Sequence, residues 1–210
     1  MAAMLKIGFA SPTVEKTGTL VLFVGSDLEV SAATRKLIGT AGVGTVKRAL
    51  SAEKFKGKER AVLVIPAPQG FDVDRLVIVG VGNDDEQEKA DYVRLGGVIA
   101  STLGSAHAAA VLLDGPPKWR TNAEAAADIA LGMRLRHYRF DKYKAKKRDA
   151  NDSDKADHPI TVTIHVEDPV AAKRVSRARD AVGTGVELAR DLVNEPPNVL
   201  DPVEFAKRAK

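Results

Sequence analysis

Leu76-Val77-Ile78-Val79-Gly80-Val81-Gly82-Asn83-Asp84-Asp85 reads as a strand that runs straight into a helix start. The first four residues are aliphatic and mostly β-branched, with no polar alternate. Both faces of such a strand must be covered. Gly80 and Gly82 have the beginning of a dinucleotide-binding turn, but Asp85 stands where its third glycine belongs. Asp84, Asp85 and Glu86 would repel a pyrophosphate, whereas they suit the positive end of a helix. The segment is therefore a strand-to-helix turn.

Working outward, the same punctuation recurs. Leu20-Val21-Leu22-Phe23-Val24 ends at Gly25, Ala61-Val62-Leu63-Val64-Ile65 at Pro66, and Ala109-Ala110-Val111-Leu112-Leu113 at Asp114-Gly115. These read as strands buried on both faces. Leu5, Ile7 and Phe9 alternate as in a strand. Ile160, Val162, Ile164 and Val166 alternate with Thr161, Thr163, His165 and Glu167, which predicts a half-buried strand nearer a sheet edge. Between the strands lie helical patterns. Tyr92, Leu95, Ile99 and Leu103 share one face. Thr121 and Glu124 form a capping-box pair opening a helix that turns Ile129, Ala130 and Met133 inward. Val175, Ala178, Val182, Val186, Ala189 and Val193 make a stripe at 3–4 spacing, with Arg174, Arg177, Glu187 and Arg190 largely off it. The alternation predicts an α/β fold: a mixed, largely parallel sheet flanked by helices.

The 210 residues are 44% hydrophobic and 29% charged, the composition of a soluble globular protein. No apolar run approaches the ~20 residues of a membrane helix, so no membrane partner is expected. The N-terminus, Met1 to Lys6, carries no secretory signal pattern. The absence of cysteine excludes disulfides, thiol catalysis and Cys-ligated zinc. A cytoplasmic protein is the simplest reading. The net charge of +4 is too small to name a partner by itself.

Other motifs fail on inspection. Gly39-Thr40-Ala41-Gly42-Val43-Gly44-Thr45 has the glycine spacing of a phosphate loop, but Thr45-Val46 replaces the required Lys-Ser/Thr pair. It reads as a flexible loop. Asp149, Asn151 and Ser153 mimic a calcium loop whose glycine is Asp154 and whose last ligand is Ile160. His107, His137, His158 and His165 show no zinc spacing. Residues 145–159 have no aliphatic side chain larger than Ala and read as an exposed, mobile loop.

The stretch from Arg134 to Arg148 holds eight cations against Asp141 alone, interleaved with Tyr138, Phe140 and Tyr143. Such a pattern can bind phosphates and stack bases. It is also what a helix C-terminus followed by packed aromatics looks like. The candidate nucleic-acid contacts are Arg134, Arg136, Lys142, Lys144, Lys146 and Lys147.

Two segments carry a family resemblance. Glu187-Leu188-Ala189-Arg190-Asp191-Leu192-Val193-Asn194-Glu195-Pro196-Pro197-Asn198 resembles the stretch joining the two domains of the leucyl (cytosol) aminopeptidase family, and Gly132 to Lys144 resembles that family's "G…L…Y.FD.YK" segment. The resemblance covers essentially the whole chain. It implies a macro-domain-like N-terminal domain over 1–170, an interdomain helix over 171–194, and over 195–210 a linker and the start of a catalytic domain. Asp201, Pro202 and Glu204 have the pattern of a helix start, so a longer polypeptide is expected. The parent enzyme implied is a hexameric aminopeptidase that uses two divalent metal ions, Zn or Mn, to cleave N-terminal residues from peptides, with DNA a further ligand in some members. The family's catalytic motifs do not occur here. No catalytic or metal residue is assigned, no cofactor is expected in this chain, and it is expected to be inactive alone.

Overall fold

A computed structural model describes residues 5–208 apart from 15, 17, 105, 117 and 144–158. In chain order the elements are β1 (Leu5–Ala10), β2 (Thr19–Val24), α1 (Ala32–Ala52), β3 (Val62–Pro66), β4 (Arg75–Gly80), α2 (Asp84–Glu88), α3 (Tyr92–Thr102), β5 (Ala108–Leu112), α4 (Ala123–His137), β6 (Ile160–His165), α5 (Pro169–Asn194) and α6 (Pro202–Arg208). The sheet has the order β1-β6-β5-β2-β4-β3. All neighbours are parallel except β3, which pairs antiparallel with β4.

The strand periodicity splits the core in two. Leu20, Leu22 and Val24 of β2, with Leu76 and Ile78 of β4, face α1 through Ile38, Val46 and Leu50. Val21, Phe23, Val77 and Val79 point to the other face, where α3 and α4 cover them with Leu95, Ile99, Ile129 and Met133. Each fully buried aliphatic side chain contributes roughly 1.5–3 kcal/mol, so a register slip in β2 or β4 would still bury carbon. What it would break is the fit to the helices. That fit is tightest between α3 and α4. A Cβ on Gly132 would lie 1.8 Å from the Val93 carbonyl oxygen, and one on Gly96 would lie 2.1 Å from that of Ile129.

The six expected strands are all present, and the turn after β4 is the expected one. Asn83 caps α2, accepting from the Glu86 amide while Glu86 reaches back to the Asn83 amide. β6 lies one place from the edge, beside β1. Three local expectations are corrected, and the orientation of one helix stripe, which the sequence left open, is fixed. The run over 61–65 is not buried on both faces: β3 is an edge strand ending in Pro66, and Val64 is exposed. The glycine segment 39–45 is not a loop. It lies in α1, which bends at Gly39 (φ 67°), and Gly42 packs against Phe71. The cap of α4 is Asn122, whose side chain accepts from the Ala125 amide, rather than Thr121. The valine stripe of α5 does not face the sheet. Ala172, Ser176 and Gly183 are buried, while Ala178, Val182, Ala189 and Val193 are exposed. Residues 144–158, nearly all of the loop expected over 145–159 and the calcium-like stretch with it, lie outside the described residues.

Candidate functional site

α4 and α5 run parallel because β6 returns the chain between them. Their seam is polar, and it keeps a constant step. Arg134 meets Glu187, Tyr138 meets Asp191, and Lys142 meets Glu195, each pair 53 residues apart in sequence. Side chains four apart on a helix share a face, so Arg134 and Tyr138 project from one side of the α4 end. Lys142 continues the series beyond it. Glu187 and Asp191 match them on α5, and Glu195 caps that helix.

Arg134 grips Glu187 with both ends of its fork, Nε to Oε1 at 2.9 Å and Nη2 to Oε2 at 2.6 Å. It also donates to the Asp180 carbonyl at 2.9 Å and the Thr184 hydroxyl at 3.0 Å. A Cβ on Gly183 would stand 3.1 Å from the arginine stem, so glycine keeps this approach open. The Glu187 carboxylate raises the guanidinium pKa above its ordinary value. Elsewhere along the seam Arg179 pairs with Asp128 at 2.8 Å. Arg190 bonds the Leu135 carbonyl at 2.7 Å, and its guanidinium lies 5.4 Å from the Tyr138 ring centre.

At the far end the seam closes on Glu195. Its carboxylate accepts from Lys142, from the Tyr143 hydroxyl, and from Arg208 of α6 at 3.3 Å. The carboxylate side chain is 3% exposed, although Lys142 and Tyr143 remain about half exposed. It is sheltered by the long side chains laid over it. The Lys142 bond, then those from Tyr143 and Arg208, hold the Glu195 pKa down at about 2. Reciprocally, Glu195 raises the pKa of Lys142 and of Tyr143. Three parts of the chain thus meet on one carboxylate: the segment after α4, the cap of α5, and α6. Asp201 caps α6 as expected, accepting from the Glu204 amide at 2.8 Å. The Glu204 side chain turns to Arg208 instead of the cap.

This arrangement places the candidate nucleic-acid contacts. Arg134 and Lys142 are engaged with Glu187 and Glu195. Arg136 is exposed and lines a cavity of about 260 Å³ with Arg139, Ser101 and Tyr138. Lys144, Lys146 and Lys147 lie outside the described residues. The acids that reading the sequence misses are Glu187, Asp191 and Glu195. Their signal is a spacing of four that matches Arg134, Tyr138 and Lys142. Among the described residues no three His, Cys, Asp or Glu side chains converge as a metal centre requires. No described helix is long and apolar enough to cross a membrane.

A profile of the cytosol aminopeptidase family, N-terminal domain, matches residues 21–147. A probable cytosol aminopeptidase of Methylorubrum extorquens is 45% identical over 209 residues, covering 99% of this chain and 41% of the relative. Another, from Methylobacterium radiotolerans, is 46% identical over 194 residues, covering 92% of this chain and 37% of the relative. The chain therefore spans about two fifths of the length of these curated relatives. Among solved structures, a mutant of tomato leucine aminopeptidase superposes over 100% of this chain and 42% of its own with a TM-score of 0.74 at 21% identity. The bottromycin maturation enzyme BotP in complex with Mn matches 90% of this chain and 34% of its own with a TM-score of 0.59 at 21% identity. At that identity both likenesses speak to the fold alone.

Proposed function

The chain belongs to the cytosol aminopeptidase family as its N-terminal domain, and on that premise we propose that it is the non-catalytic part of a two-metal aminopeptidase that removes N-terminal residues from peptides. The observation that carries the reading is where apolar surface is left uncovered. Val182, Leu188 and Val193 of α5 and Val203 and Phe205 of α6 are all large, apolar and about half exposed or more. They lie along the last two helices of the chain, beyond which the relatives continue. Large exposed apolar side chains on the helices that lead toward the relatives' remaining length support an interaction surface there. The Glu195 cluster holds α6 against the end of α5 and so sets the direction in which the chain leaves the domain.

In this reading the joint after Asn194 orients a catalytic domain that supplies every metal ligand. Hydroxide generation and carbonyl polarisation by two divalent ions, Zn or Mn, belong to that domain. A cytoplasmic location and a homo-hexameric parent are part of the same proposal. Leucine p-nitroanilide hydrolysis, with manganese or zinc added, tests it. The 210-residue chain is expected to match the buffer blank, and the polypeptide carrying the relatives' remaining length is expected to turn over. Turnover that copurifies with the 210-residue chain would overturn the assignment.

A further inference from the structure

Strands β2 and β5 lie side by side, and the chain leaves them in opposite directions. α1 carries it from β2 toward β3 and β4, whereas α4 carries it from β5 to β6. In an open α/β sheet such a reversal opens a crevice beyond the carboxyl ends of the two strands. A helix N-terminus there offers amide donors to an anion. In this chain the crevice is already crossed. Asp114, two residues past β5, reaches over to the start of α1. Its Oδ2 accepts from the Ser31 hydroxyl, from the Thr34 amide at 2.9 Å and from the Thr34 hydroxyl at 2.8 Å. Ser31 is the cap of α1, and Thr34 is buried. Three donors therefore converge on one carboxylate oxygen brought from 80 or more residues away.

The surroundings are filled as well. A Cβ on Gly25, the residue after β2, would come within 3.1 Å of Pro116 and 3.0 Å of the Gln87 amide nitrogen. That nitrogen donates to the Gly82 carbonyl at 2.9 Å, which ties the turn after β4 into the same plug. The Trp119 ring centre lies 4.6 Å from that of Phe23 and 5.6 Å from that of Tyr92. A phosphate entering here would have to displace the half-buried carboxylate and leave it without its three donors, which costs free energy. Asp27, also close to Gly25, would add a second repulsion.

We infer that the switch-point crevice is closed from within: the Asp114 carboxylate is the resident anion at the α1 N-terminus, and the domain takes no nucleotide or other phosphorylated ligand there. The inference is independent of the aminopeptidase reading, since it concerns the sheet end and not the α5–α6 joint.

Thermal unfolding of the 210-residue chain in inorganic phosphate against chloride at equal ionic strength tests it. Wild type sets the general effect of phosphate on burial. Asp114→Ala vacates the seat; it is expected to melt lower than wild type and to regain several degrees more than wild type does in about 50 mM phosphate or acetate. An anion at ten times its Kd shifts the folding equilibrium about elevenfold. Asp114→Asn keeps the volume and an acceptor oxygen, and its phosphate response is expected to equal that of wild type. A response of D114A no larger than wild type overturns the inference, as does a D114N response as large as that of D114A. Calorimetric titration of wild type with ADP requires no variant. No heat beyond dilution is expected, and binding at millimolar affinity or tighter overturns the closure.

Discussion

α4 has two flanks, and they are built in opposite ways. Toward α3 it is dry. Gly96 and Gly132 bring the two backbones together, and Ile129 and Met133 are fully buried beneath. Toward α5 it is polar, held by Arg179–Asp128, Arg134–Glu187 and Tyr138–Asp191. The dry flank fixes the distance between helices through shape, so it has no tolerance for an added atom. The polar flank fixes register through direction, because a bidentate arginine and a hydroxyl bond are satisfied at one offset only. In the proposed reading, the register of α5 set this way aims the segment after Asn194 toward the catalytic domain.

The contrast is broken most sharply by adding a methyl group on the dry flank. Gly132→Ala puts a Cβ 1.8 Å from the Val93 carbonyl oxygen, and α3 and α4 must separate. A loss of about 3 kcal/mol in urea unfolding is expected, at the upper end for overpacking. A loss under ~1 kcal/mol would mean that the helices slide apart cheaply.

On the polar flank the expected effect is smaller. Arg134→Ala leaves the Glu187 carboxylate without its fork, but the pair is about a quarter exposed and water replaces part of it. A cost of about 1–2 kcal/mol is expected. In a double-mutant cycle with Glu187→Ala, coupling should account for much of it. Arg134→Lys should recover little, since an ammonium cannot bond both oxygens in the fork geometry. Full recovery by lysine would reduce the seam to simple charge attraction.

The Glu195 cluster sharpens the comparison through pH. The folded-state pKa is depressed to about 2 from the ordinary 4.5. Its stabilisation is therefore complete above pH 4.5 and lost as pH falls from there toward 2. The melting difference between wild type and Glu195→Gln should be constant above about pH 5 and shrink through that window. Hydrogen exchange at Leu200 and Phe205 should speed up in the variant at neutral pH. A pH-independent difference would show that the hydrogen bonds, and not the charge, hold the joint.

The smallest effect on the isolated chain is expected from Val193→Ser with Phe205→Ser. Both side chains are exposed, so stability should stay within about 0.5 kcal/mol of wild type. If α5 and α6 dock on the rest of a longer enzyme, the same pair should weaken that association and lower the yield of folded full-length protein. A large loss in the isolated chain would show instead that these residues pack within the domain.

The strands and the turn after β4 are legible because their causes are local. A strand covered on both faces needs an unbroken aliphatic run, and Asn83 with Glu86 satisfies its own helix start within four residues. The glycine segment 39–45 reads as a loop and folds as helix. Its glycines are bad for an isolated helix, yet Gly42 is needed where Phe71 presses on α1. The candidate site is half legible. Arg134, Tyr138 and Lys142 stand out for their charge and aromaticity, and their partners do not.

What the sequence by itself determined is the six strands and the inward faces of α3 and α4, because burial of β2, β4 and β5 follows from side chains that have nowhere else to go. Tertiary structure alone decided the rest. It put β3 at an edge, turned the valine stripe of α5 outward, and matched Arg134, Tyr138 and Lys142 to acids 53 residues away. The physical reason is that a helix face is chosen by its competing neighbours. α5 has an apolar stripe and a charged one, and α4 offers an arginine fork at the one place where Gly183 lets it in. The charged face is drawn to α4, and Val182 and Val193 are left exposed.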